Sequence, residues 1–416
     1  MKTTKKKVDS EEVPMKRSMH IALLIGGILL VISGCATYNA HKVGPTSILQ
    51  AQEEIPEEEL LDVGIAVFES QEITEERAKE EGTHPDIRKA ERHFIPYHLK
   101  NTLQQSSHWG AVRVMPVEDP DVDVLIRGEI MESNGEHLVL RVEVTDAAGH
   151  TWFRKAYEEQ AKQSFYKDNV PGEKDAFQDV YNAIANDMAA HKKELSPDAI
   201  RKIRTISRLK FAADFAPDAF GDYMVRDKEE KVTIKRLPAD DDPMMARLLQ
   251  VRDRDHMYVD TLNEYYQNFY NEMWPDYEEW RKANLTEQVA MRKVKRDAHI
   301  RQAAGALMMA LAIALAAGGV DNSYAVQEGL IFGGGAILYN GINISKQAEI
   351  HRVAIQELSE SFGNEMKPVV MEFQGKKYEL TGSAEEQYRH WRELLREIYY
   401  EETGFGKTDS PQPKGS

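Results

Sequence analysis

Three stretches decide the fold: Val122-Asp-Val-Leu-Ile-Arg-Gly-Glu-Ile-Met-Glu132, His137-Leu-Val-Leu-Arg-Val-Glu-Val-Thr145 and Thr151-Trp-Phe-Arg-Lys-Ala-Tyr157. Each reads as a β-strand. In the second, Leu138, Leu140, Val142 and Val144 alternate with other residues, as in a strand with one buried face. Ser133-Asn134-Gly135 and Ala147-Ala148-Gly149 between them are hairpin turns. Working outward, Leu61 to Phe68 is a short apolar strand. Asp86 to Ser107 is helical, with Ile87, Phe94, Leu99 and Leu103 as core contacts, and Pro96 is expected to bend or interrupt it. Trp109-Gly110 ends the helix, and Val112 to Met115 is a further strand closed by Pro116. Residues 61–160 are therefore expected to form a β-α-β-β-β-β domain.

The segments Asp123-Val-Leu-Ile-Arg-Gly128 and Val144-Thr-Asp-Ala-Ala-Gly149-His-Thr-Trp152, in that element order, resemble a periplasmic domain family. It is the family of the amino-terminal domains of Tol-system and curli-export lipoprotein components. The resemblance covers roughly 61–160 and rests largely on strand and turn chemistry. It implies a role in envelope assembly and not in catalysis.

Ahead of this domain, Lys16 and Arg17 precede an uncharged run from Ile21 to Gly34. A basic segment, a short apolar segment and small residues before a cleavage point read as a secretory signal peptide over 1–34. Translation is expected to start at Met15, because Lys5-Lys6-Lys7 and Asp9, Glu11 and Glu12 are unusual ahead of such a signal. Ile32-Ser33-Gly34-Cys35 resembles the lipobox of bacterial lipoproteins. That resemblance implies cleavage between Gly34 and Cys35, and acylation of Cys35 by a diacylglyceryl thioether and usually an amide-linked chain. The competing reading is an uncleaved anchor, but fourteen uncharged residues are short against the about 20 that a bilayer core needs. Three acyl chains exceed the two signals that stable anchoring takes. Ala36 follows the cysteine in place of the Asp that retains such lipoproteins in the inner membrane, which implies the outer membrane with the folded part facing the periplasm. Residues 35–60, with Gly44-Pro45 and the acidic run Glu53 to Glu59, are expected to be a disordered tether.

The chain of 416 residues has 53 basic and 69 acidic side chains and a formal net charge of −16. It is more acidic still from Cys35 onward, since residues 1–34 hold six basic against three acidic groups. Such a balance is a poor fit to nonspecific nucleic-acid binding, which neutralises phosphates. Cys35 is the one cysteine, so its acylation leaves no thiol for a disulfide or a thiolate metal site.

Beyond residue 160 the chain reads as mainly helical. Residues 161–242 form a connector. Its first helix, Asp175 to Leu195, carries Phe177, Tyr181, Ile184 and Met188 on one stripe. Its second runs from Pro197 to Phe211 and is capped by Ser196. Gly221 to Asp241 reads as an irregular linker. Residues 243–366 hold long helices, which Trp274-Pro275 is expected to kink or divide. Tyr266, Phe269, Tyr270, Met273, Tyr277 and Trp280 share one face there, which suits helix packing first and an aromatic belt or ligand platform second. Ala303 to Val320 and Gly329 to Ser345 are uncharged and Gly/Ala-rich. They read as a helical hairpin over 303–345, with close packing at Gly329 and Gly333. Three settings stay open for it: a bundle core, insertion in a bilayer as a transmembrane helical hairpin, or an oligomeric pore. Arg292, Lys293, Lys295, Arg296 and Arg301 before the first arm, and Lys346 and Arg352 after the second, suit either a bilayer surface or a solvated face. Ala348, Ile355 and Phe362 are placed to pack on the 243–300 region. Residues 367–403 form a β-hairpin around Gln374-Gly375-Lys376 and a helix with a Ser383/Glu386 capping box. Residues 404–416 are expected to be disordered.

No nucleophile elbow, zincin motif, phosphate loop or dinucleotide fingerprint is present. His84, His93 and His98, with Asp86 and Glu91, form the densest histidine cluster. His93 and His98, five apart, fall on different helix faces and make a poor zinc site. Asp119-Pro-Asp121-Val-Asp123 lacks the glycine and distal glutamate of a calcium loop. The fold is thus expected to be α+β: a β-α-β-β-β-β domain, then a helical region with the apolar hairpin, then a β-hairpin plus helix. No cofactor, metal or catalytic residue is assigned. The expected function is that of a lipid-anchored, non-enzymatic bacterial envelope protein in assembly, transport or scaffolding. Its expected partners are the membrane, through the acyl anchor and the hairpin, and a second copy or another envelope protein. The alternative is a periplasmic binding module for peptidoglycan, glycan or a small ligand.

Overall fold

A computed structural model describes residues 40–71, 73–74, 78, 82–117, 121–168, 174–317, 335–364, 369–373 and 376–404. The fold is mixed α+β, with a many-stranded sheet and several helices. Among the described residues seven strands form one sheet: β1 (His41–Lys42), β2 (Val63–Ala66), β3 (Glu69–Ser70), β4 (Val112–Met115), β5 (Val124–Ser133), β6 (His137–Asp146) and β7 (Thr151–Gln160). The order is β1-β7-β6-β5-β2-β4, with β3 beside β5. Strand β2 runs parallel to both β4 and β5, whereas β5, β6 and β7 are antiparallel. The two tight turns depend on glycine. Gly135 and Gly149 have φ of 76° and 82°, a region that side chains disfavour. A Cβ at 135 would also lie 2.6 Å from the Arg281 carbonyl oxygen.

Helix α1 (Pro85–Ser106) crosses from β2 to β4 and buries Ile87, Phe94, Leu99 and Leu103 against the sheet. It runs through Pro96 without a break. Proline has no N–H to offer the carbonyl four residues back, which is that of Arg92. The backbone N–H of Phe68 donates to it instead, at 3.1 Å. Helices α2 (Gln178–Glu194) and α3 (Pro197–Phe215) follow, the latter capped by Ser196. Helix α4 (Pro243–Ala317) spans 75 residues and is not divided at Pro275. Its Tyr266, Phe269, Met273, Tyr277 and Trp280 are buried, so the segments on both sides of the proline belong to packed layers. Helix α5 (Gly335–Asn364) lies on it, with Phe362 against Tyr266 and Phe269 and His351 2.7 Å from Asp276. Helix α6 (Ala384–Thr403) starts at the Ser383/Glu386 capping box. The side chain of Asn263 on α4 closes the free edge of β4, accepting from the N–H of Val114 and donating to its carbonyl, at 2.9 and 3.0 Å. An edge strand treated this way offers no template to another chain.

Four expectations need correction. Residues 40–60 are a docked strap and not a disordered tether. Strand β1 pairs with Tyr157 and Glu158 of β7, and the side-chain amides of Asn182 and Asn186 hold Thr46, Ser47 and Leu49 at 2.8–2.9 Å. Composition missed this because the strap is satisfied by hydrogen bonds, with none of its residues buried. The linker 221–241 contains a two-stranded hairpin, β8 (Met224–Arg226) and β9 (Val232–Ile234), tied to the sheet by Val232 N–H on the Ala148 carbonyl. Neither Pro96 nor Pro275 interrupts its helix. Finally, among the described residues no helix is long and apolar enough to cross a membrane, which overturns the transmembrane reading of 303–345. Of the two apolar arms, 303–317 are helical within α4 and 335–345 within α5. Gly34, Cys35, Gly329 and Gly333, the signal segment 1–34 and most of the tail 404–416 lie outside the described residues.

Candidate functional site

Strand β2 sits where the chain changes sides. After β2 the chain passes through α1 on one face of the sheet to β4. After β4 it returns to β5, and Val122, just before β5, packs tightly on Gly64 of β2, 3.0 Å from where a Cβ would stand. In sheets of this kind ligands bind in the crevice outside the carboxyl ends of such strands. Here that position is a crevice of about 580 Å³. Its floor includes Met115, Pro116 and Val117, and its walls carry charged residues of β5, β6, β7, α1 and α6.

The strand register builds the charged wall. Arg127 faces Glu143, Glu129 faces Arg141 and Glu143 faces Arg154 across the antiparallel strands. Arg141 binds Glu129 at 2.5 Å, and Arg154 binds both oxygens of Glu143 at 2.7 Å. These residues form the polar half of the strand alternation. Their sequence signal was the spacing of Arg127 with Glu129 and of Arg141 with Glu143, but the register that juxtaposes them was not readable. Arg92, on α1, donates from Nε to the Phe68 carbonyl at 3.0 Å, beside the backbone bond that Pro96 releases. On the α6 side, burial opposes ionisation of Glu385, but His93, 3.7 Å away, and the polar groups at the helix start together outweigh it and hold the carboxyl down at about 2. A second cavity of about 600 Å³, along α6, shares Pro116, Val117 and Glu385 with the first.

Behind the sheet lies a buried polar network. Tyr277 and Ser133 donate to the same Glu91 oxygen, Arg281 donates to the Tyr277 hydroxyl at 2.8 Å, and Arg281 pairs with Asp175 at 2.7 Å. Burial raises the Glu91 carboxyl above its ordinary value despite Arg88 nearby. Burial also opposes ionisation of Asp175, but Arg281, His98 and the Phe177 N–H together outweigh it and the net shift is downward. His98 is held between Tyr270 and Gln178 at 2.7 and 2.9 Å, and burial lowers its pKa. The network is enclosed, and its role is to join α1, α2 and α4.

The structure separates the histidines of the sequence cluster. His98 enters this network, while His93 packs on Tyr266 and Phe362. Among the described residues no group of His, Cys, Asp or Glu is placed to hold a metal ion. Asp121 pairs with Arg392, and Asp123 accepts from Ser207 and the Asp62 N–H. The aromatic stripe of α4 is packed into the core. No protein-family model, curated protein or solved structure matches the chain.

Proposed function

We propose that this chain is a lipid-anchored, non-enzymatic component of the bacterial envelope that works by binding, with its partner or ligand held in the crevice at the end of β2. The observation that carries the reading is the crevice itself. It stands at a topological switch point, over an apolar floor, and its charged wall includes the Arg141–Glu129 and Arg154–Glu143 ion pairs. Paired charges of this kind suit recognition, where they set orientation and reject wrong partners.

The anchor rests on the lipobox-like sequence at Gly34-Cys35, and the outer membrane on Ala36. If Cys35 is acylated, residues 36–40 separate it from β1. The observed order carries one more strand, β3, ahead of α1 than the expected β-α-β-β-β-β, and the likeness of 123–128 and 144–152 to the Tol-system and curli-export components supports the same role in assembly, transport or scaffolding.

Two measurements test the reading. A palmitate analogue should label the wild type and fail to label Cys35→Ser; label persisting on the variant would place the acyl chain elsewhere. On a blue-native gel of detergent extracts, the wild type should run as a discrete assembly that Arg92→Ala dissolves. A monomer in both, or an assembly untouched by Arg92→Ala, would contradict binding to a protein partner through the crevice.

A further inference from the structure

We infer that the crevice takes a dipolar ligand of amino-acid or short-peptide size, its carboxylate on Arg92 and its ammonium on Glu69. This rests on the reading of the crevice as the binding site. Most charges on the wall are engaged: Glu129 with Arg141 and Gln71, and Glu143 with Arg154. Arg92 and Glu69 differ. Among the described residues the terminal Nη nitrogens of Arg92 make no hydrogen bond or ion pair, and Glu69 makes none through its side chain. Both line the crevice, and both also line the adjoining cavity of about 670 Å³ between β3 and the start of α1. They do not pair with each other. Two unneutralised charges of opposite sign thus face one cavity.

Arg92 is also pinned in place. Its Nε binds the Phe68 carbonyl and its own carbonyl, freed by Pro96, takes the Phe68 N–H. Its guanidinium is thereby held at the end of β2 before a ligand arrives, which lowers the ordering cost of binding. A simple anion would meet the carboxylates of Glu69, Glu129, Glu143 and Glu385, and a simple cation would meet the arginines. A ligand carrying both charges satisfies each wall, and Met115, Pro116 and Val117 offer an apolar bed for its side chain. The volume falls within the roughly 300–1,000 Å³ of small-molecule sites.

The test is calorimetric titration of the detergent-purified full chain with the tripeptide Ala-Leu-Ala bearing free termini. The same peptide acetylated and amidated at its ends, and sodium phosphate, are the comparison probes. The free tripeptide should bind, and Arg92→Ala and Glu69→Gln should each weaken it by at least about tenfold. Glu69→Gln covers the case in which losing the Arg92–Phe68 clip disturbs folding. Equal binding of the blocked peptide, phosphate binding as tight as the tripeptide, or no binding of the tripeptide overturns the dipolar ligand. If the tripeptide fails while Arg92→Ala still dissolves the native assembly, the ligand class is wrong and the crevice reading stands. If Arg92→Ala leaves the assembly intact and the tripeptide fails, both fall.

Discussion

At the scale of single residues, the Arg281–Asp175 pair shows how burial turns a charge into a structural commitment. Both side chains are 1% exposed, so neither can recover solvation if its partner is removed. Arg281→Ala should destabilise the fold by about 3–5 kcal/mol, because it leaves a buried carboxylate unpaired. Urea unfolding checks this, and a loss under about 1 kcal/mol would show that water replaces the guanidinium. Glu159 gives a pH prediction of defined sign. Burial, and then the charge of Asp179, push its carboxyl up to about 8. The folded state therefore keeps a proton that the unfolded chain releases near 4.3. Stability from this group is present at low pH and is lost as pH rises from the unfolded value to about 8. Glu159→Gln should leave the melting temperature unchanged near pH 4 and raise it relative to wild type above pH 8. A difference independent of pH would assign the effect to packing.

Secondary-structure elements were legible wherever one period dominates. The alternation in 137–144 and the helical stripe of α4 each state their own buried face. The elements that escaped reading depend on partners far along the chain. The strap 40–60 is polar and acidic, and nothing in it announces that Asn182 and Asn186, more than a hundred residues away, supply its hydrogen bonds. Pro96 reads as a helix breaker until Phe68 is seen to take the carbonyl it frees. The crevice escaped for the same reason: Glu69 and Glu129 come together through the pairing of β3 with β5, and Arg92 through its hold on Phe68. The hairpin 303–345 left three settings open, and its uncharged runs made a transmembrane one readable, yet no described helix is long and apolar enough to cross a membrane. The strap also carries a prediction. It has no buried residue, so Asn186→Ala should speed amide exchange over residues 43–51 while leaving exchange in β5 and β6 unchanged. The expected cost in global stability is no more than about 1–2 kcal/mol. Exchange of the strap at the rate of the sheet would show that it unfolds only with the whole body.

At the scale of the folded body, residues far apart in the chain share cores. One cluster contains Leu61, Phe94, Leu140, Tyr181, Ile206, Trp280 and Ile355, and another joins Val114 and Phe215 to Leu262, Tyr388 and Trp391. The crevice lies over the elements these clusters hold, with β4 gripped by Asn263 and α6 set beside it. Its walls are therefore rigid supports for recognition, and the central claim is that the protein acts by holding something there. Site-specific photo-cross-linking tests it most directly. A benzophenone amino acid replaces Val117 on the crevice floor in one variant and Leu237, which is 63% exposed and does not line the crevice, in another. Irradiation of intact envelopes should yield a discrete adduct from position 117, lost when Arg92→Ala is added, and none from position 237. The same adducts from both positions, or none from 117, would contradict the account.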